Sequence, residues 1–413
     1  MAFFTTAASS RIWPTYDKGD VILDEEDEKE LLSAFKSNLL FRYDYRRLDE
    51  TPVGRFEKSA CDFFNAKHAL AVASGTTAIA LALMGIGIKH GDEVALSGFT
   101  FSATASAIQL AGGKPVLIEV DDNLNLDVDD LRKKYGKNTK ALVVVHMRGA
   151  ASDMKSVMEF ASSAGLPVVE DAVPAMGVKF KGKYLGTWGD VGAFSTQSDK
   201  SCNTGEGGLL ITDNDDLYAK AVVLSGAYEG RWKKHFTTPP EDFRDSDYPI
   251  YGFRMDNLRG ALAHSQMKKL PTRLEKLSAN YSYLINSIKD LDDIKIREPS
   301  ETGSILGDAF LFTSPSYKVD DIIRFSKELR TKGIECRAFG NPEEENVRCF
   351  WNWGFLFKDV KIEDRKRMLP KTSHYLEKFI DVSLSPTLEK SDIDYLVSVI
   401  RNVLTKMKQE RRR

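Results

Sequence analysis

His68-Ala69-Leu70-Ala71-Val72-Ala73-Ser74-Gly75-Thr76-Thr77 runs straight into Ala78-Ile79-Ala80-Leu81-Ala82-Leu83-Met84-Gly85-Ile86-Gly87-Ile88. A short apolar run thus passes through four small residues, three bearing hydroxyls, into a longer apolar run. The first has the length of a buried strand and the second that of a helix, so the small residues mark a strand-to-helix turn. The pattern recurs downstream: apolar runs at 92–98, 114–120, 141–147 and 166–172 alternate with helical stretches at 103–113 and 154–165. Such alternation predicts an α/β fold with a mostly parallel sheet between helices. Runs 141–145 and 167–169 are apolar at consecutive positions, as in strands covered on both faces. Ligands of such sheets bind outside the carboxyl ends of the strands, so the residues just after each run are the candidates for chemistry.

Three of these stretches carry functional groups. Ser74-Gly75-Thr76-Thr77 brings backbone N–H groups and hydroxyls to a helix start, where a phosphate binds readily; an ordinary N-cap by Ser74 or Thr76 would look the same. Glu170 and Asp171 end a buried run, and strand alternation turns one toward the ligand crevice and the other away. A buried carboxylate needs a partner: a protonated ring nitrogen of a cofactor, an arginine or a helix terminus would each serve. In residues 190–213, Ser195 precedes Lys200 by five positions, and Gly205-Glu206-Gly207-Gly208 then turns into the apolar strand Leu209-Leu210-Ile211-Thr212. Most lysines lie on surfaces. One held near a phosphate cradle and a ring-pairing carboxylate suits Schiff-base chemistry.

From 225 to 256 the alternation dissolves into a segment rich in aromatic residues, charges and proline, too long for a plain connector. It reads as an active-site or interface excursion with exposed aromatics. Helical periodicity follows, with a break expected at Pro271, and the remainder mixes strands and helices in α+β style. The domains expected are 1–262, a large domain with an N-terminal arm, and 263–413, a smaller C-terminal one.

The 413 residues are 42% hydrophobic and 29% charged, with a net charge of −2. That balance excludes a small disulfide scaffold and gives no footprint for nucleic-acid binding; Arg411-Arg412-Arg413 reads as a solvated tail. Cys61, Cys202, Cys336 and Cys349 are far apart and lack metal-ligand spacing, so neither a metal site nor a disulfide framework is expected. Residues 1–14 lack a basic region followed by a long apolar run, and no stretch approaches the ~18 apolar residues of a membrane span. A cytoplasmic protein is expected.

Seven collinear segments then point one way: 56–79, 91–121, 143–154, 168–173, 184–195, 198–208 and 252–258. Together they resemble the DegT/DnrJ/EryC1/StrS family of aminotransferases, fold type I enzymes of pyridoxal 5′-phosphate. The resemblance implies that Lys200 holds the coenzyme covalently and moves protons as base and acid. It implies that Asp171 pairs with the ring nitrogen, that Gly75, Thr76 and Ser195 hold the phosphate, and that Phe101 stacks on the ring; core packing is the alternative for Phe101. A homodimer with a shared site is implied as well. Two positions depart from the family pattern. Pro174 replaces a glutamine that bonds the coenzyme's phenolic oxygen, and Gly252 replaces an asparagine lent by the neighbouring subunit, for which Asn257 or the 225–250 excursion would compensate.

The activity implied is transfer of an amino group from an amino acid, glutamate or glutamine, to the carbonyl of a keto-sugar nucleotide, a cyclitol or a specialised-metabolite intermediate. A lyase, dehydration or condensation step on the same fold is the alternative, and a non-catalytic coenzyme-binding regulator is a second. Acceptor contacts are expected from residues 37–51, from the excursion after Ser225 and from 346–355. In the last of these, Trp351, Trp353 and Phe355 read equally as packing of the small domain.

Overall fold

The computed structural model describes Trp13 and residues 22–411. Expectations placed on residues 1–12, on 14–21 and on Arg412 and Arg413 lie outside the described residues. Strands β1 (His68–Val72), β2 (Glu93–Ser97), β3 (Lys114–Ile118), β4 (Thr139–Val145) and β5 (Val168–Asp171) precede a small hairpin, β6 (Lys179–Phe180) and β7 (Lys183–Tyr184). β8 (Val191–Ser195) and β9 (Gly208–Thr212) complete a seven-stranded sheet of order β1-β9-β8-β5-β4-β2-β3. β9 pairs antiparallel with both β1 and β8, whereas the other pairings are parallel. The mostly parallel α/β sheet expected from the sequence is therefore present.

Alternation along each strand divides the core in two. Leu70, Val72, Val143 and Val145 face one layer, while Ala69, Ala71, Leu142 and Val144 face the other. The first layer meets α3 (Gly75–Ile86), α4 (Ser102–Leu110) and α7 (Asp215–Ser225) through Ile79, Leu83, Ile108 and Val222. The second meets α2 (Pro52–Phe64) and α6 (Met154–Ala164) through Phe56 and Phe160. α5 (Val128–Lys134) adds Leu131 to the second layer, whereas α1 (Glu25–Lys36) packs on α8 (Asn257–Ile288).

α8 joins the two halves of the chain. Met267, Leu270 and Leu277 belong to the core beneath the large sheet, and Leu284 and Ile288 to a separate core under the C-terminal sheet. The helix passes through Pro271 rather than ending there. A proline removes one N–H bond and crowds the preceding turn, but the buried Leu270 and Arg273 pin the flanking turns. Leu262, where a domain boundary was expected, falls inside this helix. No break in the backbone occurs there.

Beyond α8, β10 (Lys295–Ile296), β11 (Ala309–Thr313), β12 (Cys336–Ala338) and β13 (Ile380–Ser383) form an antiparallel sheet of order β10-β11-β13-β12. α9 (Val319–Thr331) and the last helix cover it, with Phe310, Phe312, Phe325, Leu396 and Ile400 in contact. α10 (Ile362–Met368) and α11 (Pro370–Leu376) lead back toward the large sheet, before α12 (Lys390–Arg411) closes the chain.

Trp351 and Trp353 are buried, as the packing reading expects, in a cluster that joins Phe339, Phe350, Leu376 and Phe379 to Val94, Phe99 and Val143 of the large domain, whereas Phe355 is exposed. In the 225–256 excursion, Trp232 is fully buried, with its ring 4.7 Å from that of Phe243. Hydrophobic burial has drawn most of the segment's aromatics inward, leaving Ile250 and Tyr251 exposed.

Candidate active site

The carboxyl ends of β1, β5 and β8 open onto a cleft of about 250 Å³. At one end, Ser74 and Thr77 close a capping box: Ser74 Oγ accepts from Thr77 N at 3.1 Å, and Thr77 Oγ1 accepts from Ser74 N at 3.0 Å. The plain N-cap alternative therefore holds for Ser74. It does not consume the cradle, because the N–H groups of Gly75 and Thr76, both lining the cleft, have no acceptor within the helix. A Cβ on Gly75 would stand 2.9 Å from Ser195 Cβ, so the helix start and the end of β8 touch only because residue 75 is glycine. One on Gly208 would stand 2.3 Å from the Ser74 carbonyl carbon, which explains the glycines at the start of β9. Ser195 Oγ accepts from Gln197 N at 3.1 Å and lines the same corner.

Glu170 and Asp171 point to opposite sides of the sheet. Glu170 is fully buried and accepts from Gly186 N at 2.8 Å, Gly189 N at 2.7 Å and His146 Nε2 at 3.0 Å. Because His146 Nδ1 accepts from Ser152 N, Nε2 carries the ring proton. Asp171 lines the cleft at 5% exposure; Thr104 Oγ1 donates to its Oδ2 at 2.7 Å and Val173 N to its Oδ1 at 3.2 Å. Burial pushes its carboxyl up, and these donors, with His146 and Lys200, oppose that. Such a group favours a cation beside it.

Phe101, at the N-cap of α4, is 46% exposed and lines the cleft instead of packing in the core. Lys200 lies in the loop between β8 and β9, where its N–H donates to Gln197 O at 2.9 Å. Its Nζ is 3.2 Å from Asp199 Oδ1 and its side chain is three-quarters buried. An anion cradle, a flat exposed ring, a buried carboxylate and a shielded amine on one cleft fit a phosphorylated pyridine aldehyde.

The structure brings Gly75, Thr76, Phe101, Asp171, Ser195 and Lys200 to this cleft, with Pro174 in its wall. Asn257, expected to compensate for an asparagine lent by the neighbouring subunit, does not line the cleft of its own chain. Its side chain is fully buried, donates to Leu39 O at 2.8 Å and Phe41 O at 3.1 Å, and accepts from Val53 N. It anchors the 39–44 segment and has no group left for a phosphate. Gly252 is exposed, next to Phe253, whose carbonyl accepts from Ala73 N beside the cradle.

A second chamber of about 140 Å³ adjoins the cleft, and Arg148, Asp199, Lys200, Asp308 and Arg348 line both. Its far wall comes from β12 and β13. Arg148 adopts left-handed backbone angles (φ 51°, ψ 39°), unusual for a residue with a Cβ. Its Nε and Nη2 reach Asp381 Oδ1 at 3.1 and 2.9 Å, tying the end of β4 to β13. The sequence reading assigned no role to Arg148, Asp308 or Thr104. Arg148 follows an apolar run, where the strand-end rule already looks, and Arg348 lies within the 346–355 stretch; Asp308 carried no signal.

A mostly parallel sheet with this cradle, carboxylate and lysine at its strand ends defines a fold type I pyridoxal-phosphate enzyme. The chain belongs to the DegT/DnrJ/EryC1/StrS aminotransferase family, whose profile matches residues 22–401. It is 29% identical over 373 residues to the spore coat polysaccharide biosynthesis protein SpsC of Bacillus subtilis, covering 85% of this chain and 89% of that protein. Against GDP-perosamine synthase of Caulobacter vibrioides it is 37% identical over 229 residues, 54% of this chain and 59% of the relative. Among solved structures, 3-amino-5-hydroxybenzoic acid synthase superposes with a TM-score of 0.79 at 21% identity, over 96% of this chain and 98% of that one. Helicobacter pylori PseC, an aminotransferase, gives 0.78 at 20% identity, over 95% and 99%. The protein is thus an aminotransferase, and its coenzyme is pyridoxal 5′-phosphate.

Proposed function

We propose that the protein moves an amino group from an amino acid, glutamate or glutamine, to the carbonyl of a nucleotide-linked keto sugar, with a cyclitol or specialised-metabolite carbonyl as the other acceptor class. The names of the relatives, a GDP-perosamine synthase and a polysaccharide biosynthesis protein, support the sugar. The observation that carries the site assignment is Asp171, a buried carboxylate on a cleft also lined by Lys200 and the Gly75–Thr76 cradle.

When bound, pyridoxal phosphate supplies an electron-withdrawing ring that acidifies the hydrogen on the carbon bearing the amino group. Gly75 and Thr76 N–H and Ser195 Oγ hold the phosphate, Asp171 keeps the ring nitrogen protonated, and Thr104 orients Asp171. Phe101 covers one ring face and excludes water. Lys200 would hold the coenzyme and, once displaced by the substrate amine, would carry a proton through Nζ from the substrate carbon to the coenzyme's aldehyde carbon in the first half and in the opposite direction in the second.

The same reading makes the enzyme a cytoplasmic homodimer whose second copy closes the cradle side of the cleft. Phe41, Tyr45, Ile250 and Tyr251 are exposed, and Arg254, which stacks over Phe41 with its guanidinium carbon 5.6 Å from the ring centre, bridges to Val72 beside the cradle. Among the described residues no helix is long and apolar enough to cross a membrane.

The test is a two-stage assay on purified holoenzyme. Glutamate or glutamine should bleach the yellow chromophore, and a nucleotide-linked keto sugar should restore it with formation of the amino sugar. Borohydride should fix the coenzyme to the peptide bearing Lys200. Fixation at another lysine would overturn the site assignment, and restoration by no sugar, cyclitol or aromatic-precursor carbonyl would overturn the acceptor classes.

A further inference from the structure

Asp171 stands at the end of a line of buried hydroxyls. Thr100, just before the N-cap of α4, and Thr104, on its first turn, are both shut off from solvent, at 0% and 1% exposure. Thr104 Oγ1 donates to Asp171 Oδ2 at 2.7 Å, and Thr100 Oγ1 lies 2.8 Å from Thr104 Oγ1. A threonine hydroxyl carries a single hydrogen. Because Thr104 gives its hydrogen to the carboxylate, Thr100 must be the donor in the second contact. The bonds therefore run from Thr100 to Thr104 to Asp171, each hydroxyl polarising the next.

The line is lopsided. A proton on Asp171 Oδ2 would be donated to Thr104, Thr104 would turn its hydrogen toward Thr100, and Thr100 would be left with the Phe101 carbonyl, 3.4 Å away. That last contact is long for a hydroxyl donor, whereas the opposite direction ends on a charged acceptor at 2.7 Å, the stronger kind of bond. The hydroxyls thus favour the charged carboxylate. Burial works the other way, raising the proton affinity of Asp171, and Thr104 leads the groups that oppose it, ahead of Val173 N–H, His146 and Lys200. The last two are engaged elsewhere, His146 Nε2 with Glu170 and Lys200 Nζ with Asp199. Among the described residues, only Thr104 and Val173 N donate to Asp171 itself.

We propose that Thr100 and Thr104 form a hydroxyl relay that holds Asp171 as an anion and so keeps the proton shared by Asp171 and the coenzyme on the ring nitrogen. Both are positioning residues, acting through the carboxylate rather than on the substrate. The proposal rests on the reading of Asp171 as the ring partner. It adds that the charge of this carboxylate is set from the start of α4, the turn that also presents Phe101 to the cleft, so residues 100–104 govern both the cover of the ring and its electron demand. Valine matches threonine in shape without the hydroxyl. At position 104 it would fill the same space and leave Oδ2 without its donor.

The experiment is nitrogen NMR of the holoenzyme loaded with pyridoxal phosphate isotopically labelled at the ring nitrogen, whose signal separates the protonated from the bare ring. Wild-type protein should show the protonated signal. Thr104→Val should move the proton toward Asp171 by about 10- to 100-fold in the equilibrium, as expected for losing a hydrogen bond to a charged acceptor. Thr100→Val, which removes only the polarising bond, should move it by about two- to fivefold. Thr104→Ser keeps the hydroxyl and protects the fold, and it should restore the protonated signal. The rate at which glutamate or glutamine bleaches the chromophore should fall in the order of the nitrogen shifts, with KM for the donor within about threefold. A lowered melting temperature with an unmoved signal in Thr104→Val would reveal a structural role and overturn the relay, as would a wild-type signal in Thr100→Val or a serine variant that behaves like the valine one. Asp171→Asn separates this failure from that of the underlying reading. If the asparagine variant leaves the signal unmoved, the assignment of Asp171 falls and the relay with it; if it moves the signal and Thr104→Val does not, the relay alone falls.

Discussion

The coenzyme end of the cleft and the wall it shares with the second chamber are built in opposite ways. The coenzyme end comes from the strand ends of a single sheet, and its polar groups are largely paired: Ser74 with Thr77, Ser195 with Gln197, Asp171 with Thr104 and Val173. The shared wall collects residues 148, 308 and 348 from segments far apart in sequence and, among the described residues, leaves the buried Asp308 Oδ1 without a donor. A resident group can rely on a pre-paired frame, because the frame must hold its shape through every turnover. A transient ligand is recognised by groups that become satisfied only when it arrives.

That contrast can be broken most directly at Lys200. Lys200→Ala should lower turnover by at least about 10⁴-fold while leaving the melting temperature nearly unchanged, since the side chain makes no contact on which the sheet depends. Activity within about tenfold of wild type would refute its role. Next comes the carboxylate pair. Glu170→Ala leaves two buried backbone N–H groups and His146 without an acceptor, so urea unfolding should show a loss of about 3–5 kcal/mol. Asp171→Asn should do the reverse, lowering kcat by about 10²–10³-fold with coenzyme still bound and little change in stability. Matching effects from the two variants would erase the distinction between a frame carboxylate and a working one.

Asp381→Asn sharpens the same contrast at the clasp between the sheets. Weakening the bonds from Arg148 Nε and Nη2 should cost about 1–3 kcal/mol and raise KM for the amino donor more than it lowers kcat. A change in kcat alone would detach the clasp from donor binding. The smallest effect concerns His235, sealed between Tyr43 Oη at 3.0 Å and Tyr218 Oη at 2.8 Å, and held well below the usual histidine range by burial and by nearby Arg42 and His68. Below about pH 6.5 the unfolded chain protonates this ring and the folded one does not, so stability should fall with pH by at most about 1.4 kcal/mol per unit. His235→Gln should flatten that slope in unfolding curves taken between pH 7 and 5.

Much of this was legible in the sequence, for a local reason. The sheet, its helices and the cleft positions of Gly75, Ser195 and one of the pair Glu170 and Asp171 follow from apolar runs and the residues just after them, because strand ends are where such sheets place ligands; the choice of Asp171 and the role of Lys200 drew on the family resemblance. The surroundings of Asn257 were not legible, because its amide N–H groups go to Leu39 O and Phe41 O and its oxygen to Val53 N, partners more than 200 residues away in sequence. The aromatics of the 225–256 segment looked exposed because no periodicity marks a loop that folds back onto a core. Asp308 and Arg348 gain meaning only when two sheets face each other, a relation that no short window of sequence contains.

α8 carries that relation between the sheets. Its 32 residues make a rod about 48 Å long at 1.5 Å per residue, rooted under one sheet and ending under the other. Adding or deleting a single residue in its middle would turn the far sheet by about 100° around the rod and carry Asp308 and Asp381 away from Lys200. The active site is therefore in phase with a helix that contributes mainly Arg273 to its walls. Changes in length between Leu262 and Leu284 should be as damaging as changes of chemistry, and half-proteins from related enzymes should be exchangeable only when the rod is joined in register.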